Sequence, residues 1–333
     1  MAIKLSYSAV QKYLFCPALY SHHYIDRIRP INVGSPLPFG SALDDAFGRL
    51  KFEKKDTLTS KEKKLINKSA EEVFIDSFNS FNYNNRNLLL ATDNRIVYNK
   101  ADIDLSLLNE QDHKILSDFD PEVEDYNKFI EESFAILKSK KDLEDKDRKL
   151  YNYIAYLSLY RKGLMLIDAY RKDILPKIHK VYDLQKKIEL PDNNGNVIIG
   201  YIDAIVSFVD NPEIKVVLDD KTSSKPYAMD SVLKSHQLAT YAEAELLDYG
   251  AYAVAEKLIR KRKPRARTQL IIDKIPEETY DKTFKEYSKV LKGIQNKKFN
   301  KNYDSGCFQF GQVCPYYSYC RTNGKNKKGL EEV

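Results

Sequence analysis

Two carboxylates stand where an apolar sheet should have none. Val197 to Val209 reads as a strand, and Asp203 interrupts it between Ile202 and Ala204. Val216-Val217-Leu218 runs directly into Asp219, with Asp220, Lys221 and Thr222 behind it. An unpaired carboxylate inside a sheet is costly, so a fold built on these strands must bring a cation to them. A divalent metal is one candidate and Lys221 is another. One Asp at a strand end is usually a turn former or an ion-pair member. Two on consecutive strands, with a lysine two positions after the second, are a rarer arrangement. Residues i and i+2 of a strand share a face, so Asp219 and Lys221 project together and Asp203 can join them from the neighbouring strand. Hard oxygen ligands suit Mg²⁺ or Mn²⁺. Such an ion can acidify a water and offset charge on a phosphate oxygen, while Lys221 holds or polarises that water.

The acidic strands belong to a region in which the apolar period changes. Val181 to Leu190, Val197 to Val209 and Ile214 to Leu218 read as three strands. Asp192-Asn193-Asn194-Gly195 is a hairpin turn and Asp210-Asn211-Pro212 a second turn. A helix over Ser235 to Leu247, a strand over Thr268 to Ile272 and a helix over Pro276 to Gln295 complete the order β-β-β-α-β-α. Upstream, residues 1–50 read as helix, loop, helix, with Ser6-Tyr7-Ser8 as a cap and Gly40 to Leu50 helical. Residues 51–180 read as mainly helical, most clearly over Leu150 to Ile174, with an Asn-rich loop over Asn79 to Asn87. The polar tail, 321–333, is expected to be disordered.

Composition narrows the class. Hydrophobic residues make up 43% of the 333 and charged residues 31%, which is globular rather than disordered. No apolar run of about 18 residues exists, so no membrane span is expected. The start lacks a basic and then apolar leader, so a cytoplasmic protein is expected. The net charge, 54 − 48 = +6, allows a nucleic-acid partner without requiring one. There is no Walker-type phosphate loop, which argues against an ATPase motor, and no supported Ser-His-Asp or Cys-His pattern.

Gly200-Tyr201-Ile202-Asp203 followed by Leu218-Asp219-Asp220-Lys221-Thr222 resembles the core of the PD-(D/E)XK nucleases. Gln237-Leu238-Ala239-Thr240-Tyr241 is similar to the Q-x-x-x-Y helix of their RecB-like branch. Residues i and i+4 share a helix face, so Gln237 and Tyr241 can both face a cleft. Ser6-x-Ser8, then Tyr13-x-x-Cys16-Pro17-x-x-Tyr20, resembles the N-terminal signature of that branch. Gly40-Ser41-Ala42-Leu43-Asp44 stands where the family shows G-x-x-x-H, with Asp44 in place of the histidine. Asp45 lies about 100° further round the helix and is the poorer substitute.

The resemblance covers residues 4–50 and 181–320. It implies a restriction-endonuclease-like α/β core, a mixed central sheet flanked by helices. The N-terminal part of the core, 1–50, and its remainder, 181–320, would flank a large helical insertion over 51–180. It also implies a metal site of Asp44, Asp203 and Asp219 with a backbone ligand from Asp220. Lys221 would activate the water, and Gln237 and Tyr241 would orient its surroundings.

Cysteines number four: Cys16, Cys307, Cys314 and Cys320. Without an export signal, disulfides are not expected, and inert thiols are the plain reading. A subset of RecB-like nucleases holds a [4Fe–4S] cluster on one N-terminal and three C-terminal cysteines, the last two separated by x5. Cys314 and Cys320 have that spacing. Cys307 and Cys314 are separated by x6, where the resembled pattern has x2, which leaves Zn²⁺ open as the alternative. Arg260-Lys261-Arg262-Lys263-Pro264-Arg265-Ala266-Arg267 holds six basic residues in eight. It reads either as a solvated turn or as a phosphate-tracking patch. No role is assigned to His22-His23, and His236 adjoins Gln237 at the expected cleft.

The resulting expectation is a metal-dependent DNA nuclease. The resemblance implies work on single-stranded ends in recombination, repair or phage replication in a bacterial or phage-infected cell, and leaves a helicase or recombination partner open. The alternatives are an inactive DNA-end-binding or assembly subunit and, more weakly, an RNA substrate.

Overall fold

The computed structural model describes residues 2–34, 36–80, 87–89, 145–192, 194–257, 266–303, 307–309 and 312–333. The elements that position the site are, in chain order, β1 (Lys4–Ser6), α1 (Tyr7–Phe15), α2 (Pro36–Lys51), α3 (Ala70–Ser80) and α4 (Asp145–Asp173). After them come β2 (Ile178–Pro191), β3 (Val197–Phe208), β4 (Asn211–Ser223), α5 (His236–Glu245), β5 (Tyr249–Glu256), β6 (Arg267–Lys274) and α6 (Glu277–Gln295).

They build a mixed α/β fold. The central sheet runs β1-β3-β4-β5-β6, and β2 pairs with the other edge of β3. β1 is parallel to β3 and β4 to β5; β2–β3, β3–β4 and β5–β6 are antiparallel. The hairpin between β2 and β3 turns as its sequence requires: Gly195 has φ +77°, a region open to glycine at little cost, and its N–H donates to Asp192 O.

Alternation along the strands sorts the side chains into two cores. Ala204, Val206, Val216, Leu218, Ala251, Ala253 and Ala255 pack in one cluster with α2, α3 and α4. Ile205, Val217, Tyr252, Val254 and Ile271 pack in a second, against Leu238, Ala239 and Ala242 of α5. Every residue of β4 therefore faces one of two different layers.

Several boundaries differ from the sequence reading. β5 was not expected at all. Its alanines favour a helix locally, yet in the strand they form a smooth surface on which the helical layer rests. β4 runs from Asn211 to Ser223, carrying Asp219, Asp220 and Lys221 inside the strand rather than beyond its end. α2 begins at Pro36 rather than Gly40. The tail is not loose: Leu330–Glu332 pairs antiparallel with Ile28–Pro30, and Leu330 is buried with Ile28 and Tyr316. A polar tail with one well-placed leucine and a free strand edge beside it has a reason to dock. Part of the expected Asn-rich loop, 81–86, and residues 90–144 of the expected insertion lie outside the described residues. No helix among the described residues is long and apolar enough to cross a membrane.

Candidate active site

The site lies where the sheet forks. One edge of β3 pairs with β1 over Val197 to Ile199 and with β4 from Ala204 onward. Between those stretches the ladder opens, and Asp203 stands at the opening. Its Oδ2 accepts the backbone N–H of Asp220 at 2.9 Å. A side chain thus satisfies an amide of β4 where the neighbouring strand turns away. The alternation also breaks here. Ile202 and Ile205 share one cluster although three positions separate them, and Gln185, across on β2, has φ +49°. Such irregularities in a ladder re-aim side chains.

Asp219 and Asp220 leave β4 towards opposite layers. Asp219 shares its side with Lys221, whose Nζ lies 2.5 Å from Asp219 Oδ2. Gln237 Nε2 donates to Asp219 Oδ1 at 2.9 Å and to Tyr241 Oη at 3.0 Å. Tyr241 can lie against the sheet because β3 has Gly200 beneath it; a Cβ there would come within 2.9 Å of the ring. Asp220 turns to the helical layer. It takes an ion pair from Lys51, which is fully buried, and a hydrogen bond from Tyr170 Oη at 2.8 Å. Tyr170 is held by stacking on Phe47 at 4.2 Å.

Asp44 comes from α2 into the same layer. Its Oδ2 accepts from Gln185 Nε2 at 3.1 Å, and its Oδ1 is buried without a hydrogen-bond partner. Asp45 instead accepts from Ser77 Oγ at 2.5 Å on the outer side of the helix. Asp44, Asp203 and Asp220 each offer an oxygen within 4.8 Å of the other two. Among the described residues this is the one carboxylate group of that closeness; it holds the expected Asp44 and Asp203, with the side chain of Asp220 where a backbone oxygen was expected. Asp219 lies outside that group, with Oδ1 bonded to Gln237 and the buried Oδ2 ion-paired to Lys221 but without a hydrogen-bond partner. The reason is the two-residue period of the strand: Asp220, not Asp219, faces the layer that carries Asp44.

The electrostatics follow from burial and crowding. Burial pushes the Asp44 carboxyl up to about 7, with Asp220 adding repulsion and Lys51 relieving part of it. Burial raises Asp203 well above the carboxylate range, and Asp219, Asp44 and Asp220 add to it. Asp219 is raised by burial and drawn back by Lys221. Burial pulls Lys221 down, but Asp219 and Asp203 outweigh it and the net shift is upward. Lys221 is therefore a firm ammonium. A cation fits the three carboxylates on this chemistry: the oxygens are hard and mutually repelling, and one is unsatisfied.

Sequence reasoning missed the groups that support this cluster. Lys51 could have been found, because it sits seven residues after Asp44, and Phe47 between them completes one helical face. Tyr170, Gln185 and three tyrosines around Lys221 left no local signal. Tyr7, Tyr227 and Tyr252 are each raised by burial and drawn down by the charge of Lys221. His236 lies beside the site, its Nδ1 2.9 Å from Glu286 Oε2.

The four cysteines lie away from the carboxylates. Cys16, Cys307, Cys314 and Cys320 all line one small cavity, and none is in a disulfide. No three of their sulfurs come within 4.8 Å of one another. Burial raises Cys314 and Cys320, and Lys301 draws Cys320 back down. Of the basic run, Arg260, Lys261, Arg262, Lys263 and Arg265 lie outside the described residues, and Arg267 opens β6 with its side chain exposed.

Comparison with known proteins bears on the fold and the family. No curated protein matches this sequence. The crystal structure of SSO0001 is 16% identical over 51% of this chain and 86% of its own, with a TM-score of 0.25, a likeness too slight to say anything of function. The family model of the PD-(D/E)XK nuclease superfamily matches residues 4–321, from β1 to the helix carrying Cys320. With nearly the whole chain matched and an acidic cluster beside Asp219-x-Lys221 on a mixed sheet, the protein belongs to the PD-(D/E)XK nuclease superfamily.

Proposed function

We propose that this protein is a divalent-metal-dependent deoxyribonuclease of the RecB-like kind, trimming single-stranded ends in DNA recombination, repair or phage replication. One observation carries the reading: Asp44, Asp203 and Asp220 converge at the strand from which Asp219 and Lys221 project. A divalent cation, Mg²⁺ or Mn²⁺, supplies the Lewis acidity for phosphodiester hydrolysis by acidifying water and offsetting phosphoryl charge. The three carboxylates would hold it. Lys221, as an ammonium, orients the attacking water by donating to it and balances charge gathering on the phosphate oxygens. It does not accept the proton of that water. Gln237 fixes Asp219, and Asp219 fixes Lys221, so both act as positioning residues.

A polyanionic substrate would meet a groove of mixed charge, in which Glu243, Asp248, Glu277 and Asp281 stand together with the lysines of α6. Lys285, Lys289 and Lys292 are exposed on one face of α6, at i, i+4 and i+7, and wall a groove that Tyr13 and Phe284 also line. The cysteine cavity is read as the seat of a [4Fe–4S] cluster, with Zn²⁺ as the alternative. The support is that all four thiols face one small space beside Lys301.

Asp44 in the histidine's place and the neutralisation of Asp220 by Lys51 favour one second reading, a DNA-end-binding subunit that does not cut. Mg²⁺-dependent digestion of single-stranded DNA by wild type and Lys221→Ala separates the two. Cutting by wild type alone is expected; absence of cutting by both makes the protein a binding module. RNA digested in parallel would move the substrate class.

A further inference from the structure

Lys51 brings a positive charge among the carboxylates that would hold metal, and it is closed to solvent. It ends α2 and is fully buried, which a lysine accepts only when paired. Its Nζ pairs with Asp220 Oδ2 and lies 5.5 Å from the centre of the Tyr170 ring. Tyr170 Oη donates to the other oxygen of Asp220, Oδ1, at 2.8 Å. The charge of Lys51 reaches beyond its partner, drawing down the carboxyls of Asp44 and Asp219 as well.

The charges at the site can be matched one against another. Asp44, Asp203, Asp219 and Asp220 crowd this part of β4, and metal binding requires them ionised. Lys221 answers Asp219 and Lys51 answers Asp220. Asp44 and Asp203 remain without a paired cation, so the sum is 2 − 4 = −2. One divalent ion brings it to zero. A second would leave an excess of positive charge where burial makes net charge costly. Hydrolases that use two ions set them about 3.5–4 Å apart and clamp the reacting phosphate between them. Here both oxygens of Asp220 already accept from the protein, one of them from an ammonium.

We propose that Lys51 is a built-in substitute for a second metal ion, so that the carboxylates bind one divalent cation per chain. The assignment rests on the reading of Asp44, Asp203 and Asp220 as a metal site and deepens it. Lys51 is a positioning residue: it fixes Asp220 and sets how many ions the site accepts.

The test counts ions on the full chain, without DNA. Mn²⁺ is the probe, because its preference for oxygen keeps it from the thiols. Calorimetric titration gives the number bound, and electron paramagnetic resonance separates an isolated ion from a coupled pair. Wild type should bind one isolated Mn²⁺ that Asp203→Asn loses. Lys51→Met should bind two, as a coupled pair, and Mn²⁺ should raise its melting point more than that of wild type. A coupled pair in wild type overturns the assignment, and so does the absence of Mn²⁺ from the carboxylates. One isolated ion of unchanged affinity in a folded Lys51→Met overturns it too. If Lys51→Met does not fold with Mn²⁺ present, Lys51→Gln, which keeps a donor to Asp220 without the charge, is held to the same outcomes; if neither folds, the wild-type count decides. Digestion is scored separately. One ion bound without cutting of DNA would sink the nuclease reading and keep this one, and cutting by a two-ion wild type would do the reverse.

Discussion

The carboxylate cluster and the cysteine cavity solve the problem of buried reactive groups in opposite ways. In the first, protein cations meet the charge. Lys51 pairs with Asp220 and Lys221 with Asp219, one on each side of a single strand. In the second, four thiols face one space with a single lysine, Lys301, among the lining residues. The first site stands on the central sheet and has its counter-ions built in. The second joins the two ends of the chain, and burial raises the thiols of Cys314 and Cys320, which favours their neutral form. The contrast teaches that a fold can keep a charged site in shape without its cofactor only where neighbouring elements supply opposite charge.

The sharpest way to break that comparison is to remove a built-in cation. Lys51→Met leaves Asp220 buried and unpaired, and should cost about 3–5 kcal/mol in urea unfolding of the metal-free protein. A loss under about 1 kcal/mol would show that Lys51 is not what balances the cluster. Lys221→Ala should leave the fold standing but lower the turnover of single-stranded DNA by about 100- to 1,000-fold, the scale of one lost electrostatic contact in a transition state. Stability measured alongside turnover separates it from Lys51. Gly200→Ala should cost about 1–3 kcal/mol, because the added methyl meets the Tyr241 ring and pushes Gln237 from Asp219.

The smallest expected effect is on pH dependence. The Asp44 carboxyl is raised from 3.8 to about 7 in the folded protein. It binds its proton more tightly folded than unfolded, so its contribution to stability is complete below the unfolded value and is lost as pH rises through the folded one. The metal-free protein should therefore melt a few degrees lower at about pH 8 than at about pH 5, and Mg²⁺ should raise the melting point most at the higher pH. A flat profile without metal would mean that burial and the neighbouring Asp220 do not hold the Asp44 carboxyl up.

Much of this was legible in the chain. The two acidic interruptions, the Lys221 spacing and the Gln237–Tyr241 pair were read correctly as neighbours because strand and helix periods are local rules. The identity of the third clustered carboxylate was not. Asp219 and Asp220 are adjacent, and the chain alone does not say which layer holds Asp44. β5 was missed because its three alternating alanines have helical propensity that only the sheet overrides.

The residue types and their order determined by themselves that acids and a lysine would meet on consecutive strands of an α/β sheet. Tertiary structure alone decided that Lys51, 169 positions from Asp220, would balance it, and that Tyr170 would join them. It also decided that Cys16 would share a cavity with cysteines from the other end of the chain. Periodicity fixes where a side chain points relative to its own element. Which element packs there depends on the burial of whole faces, and no short window of sequence contains that.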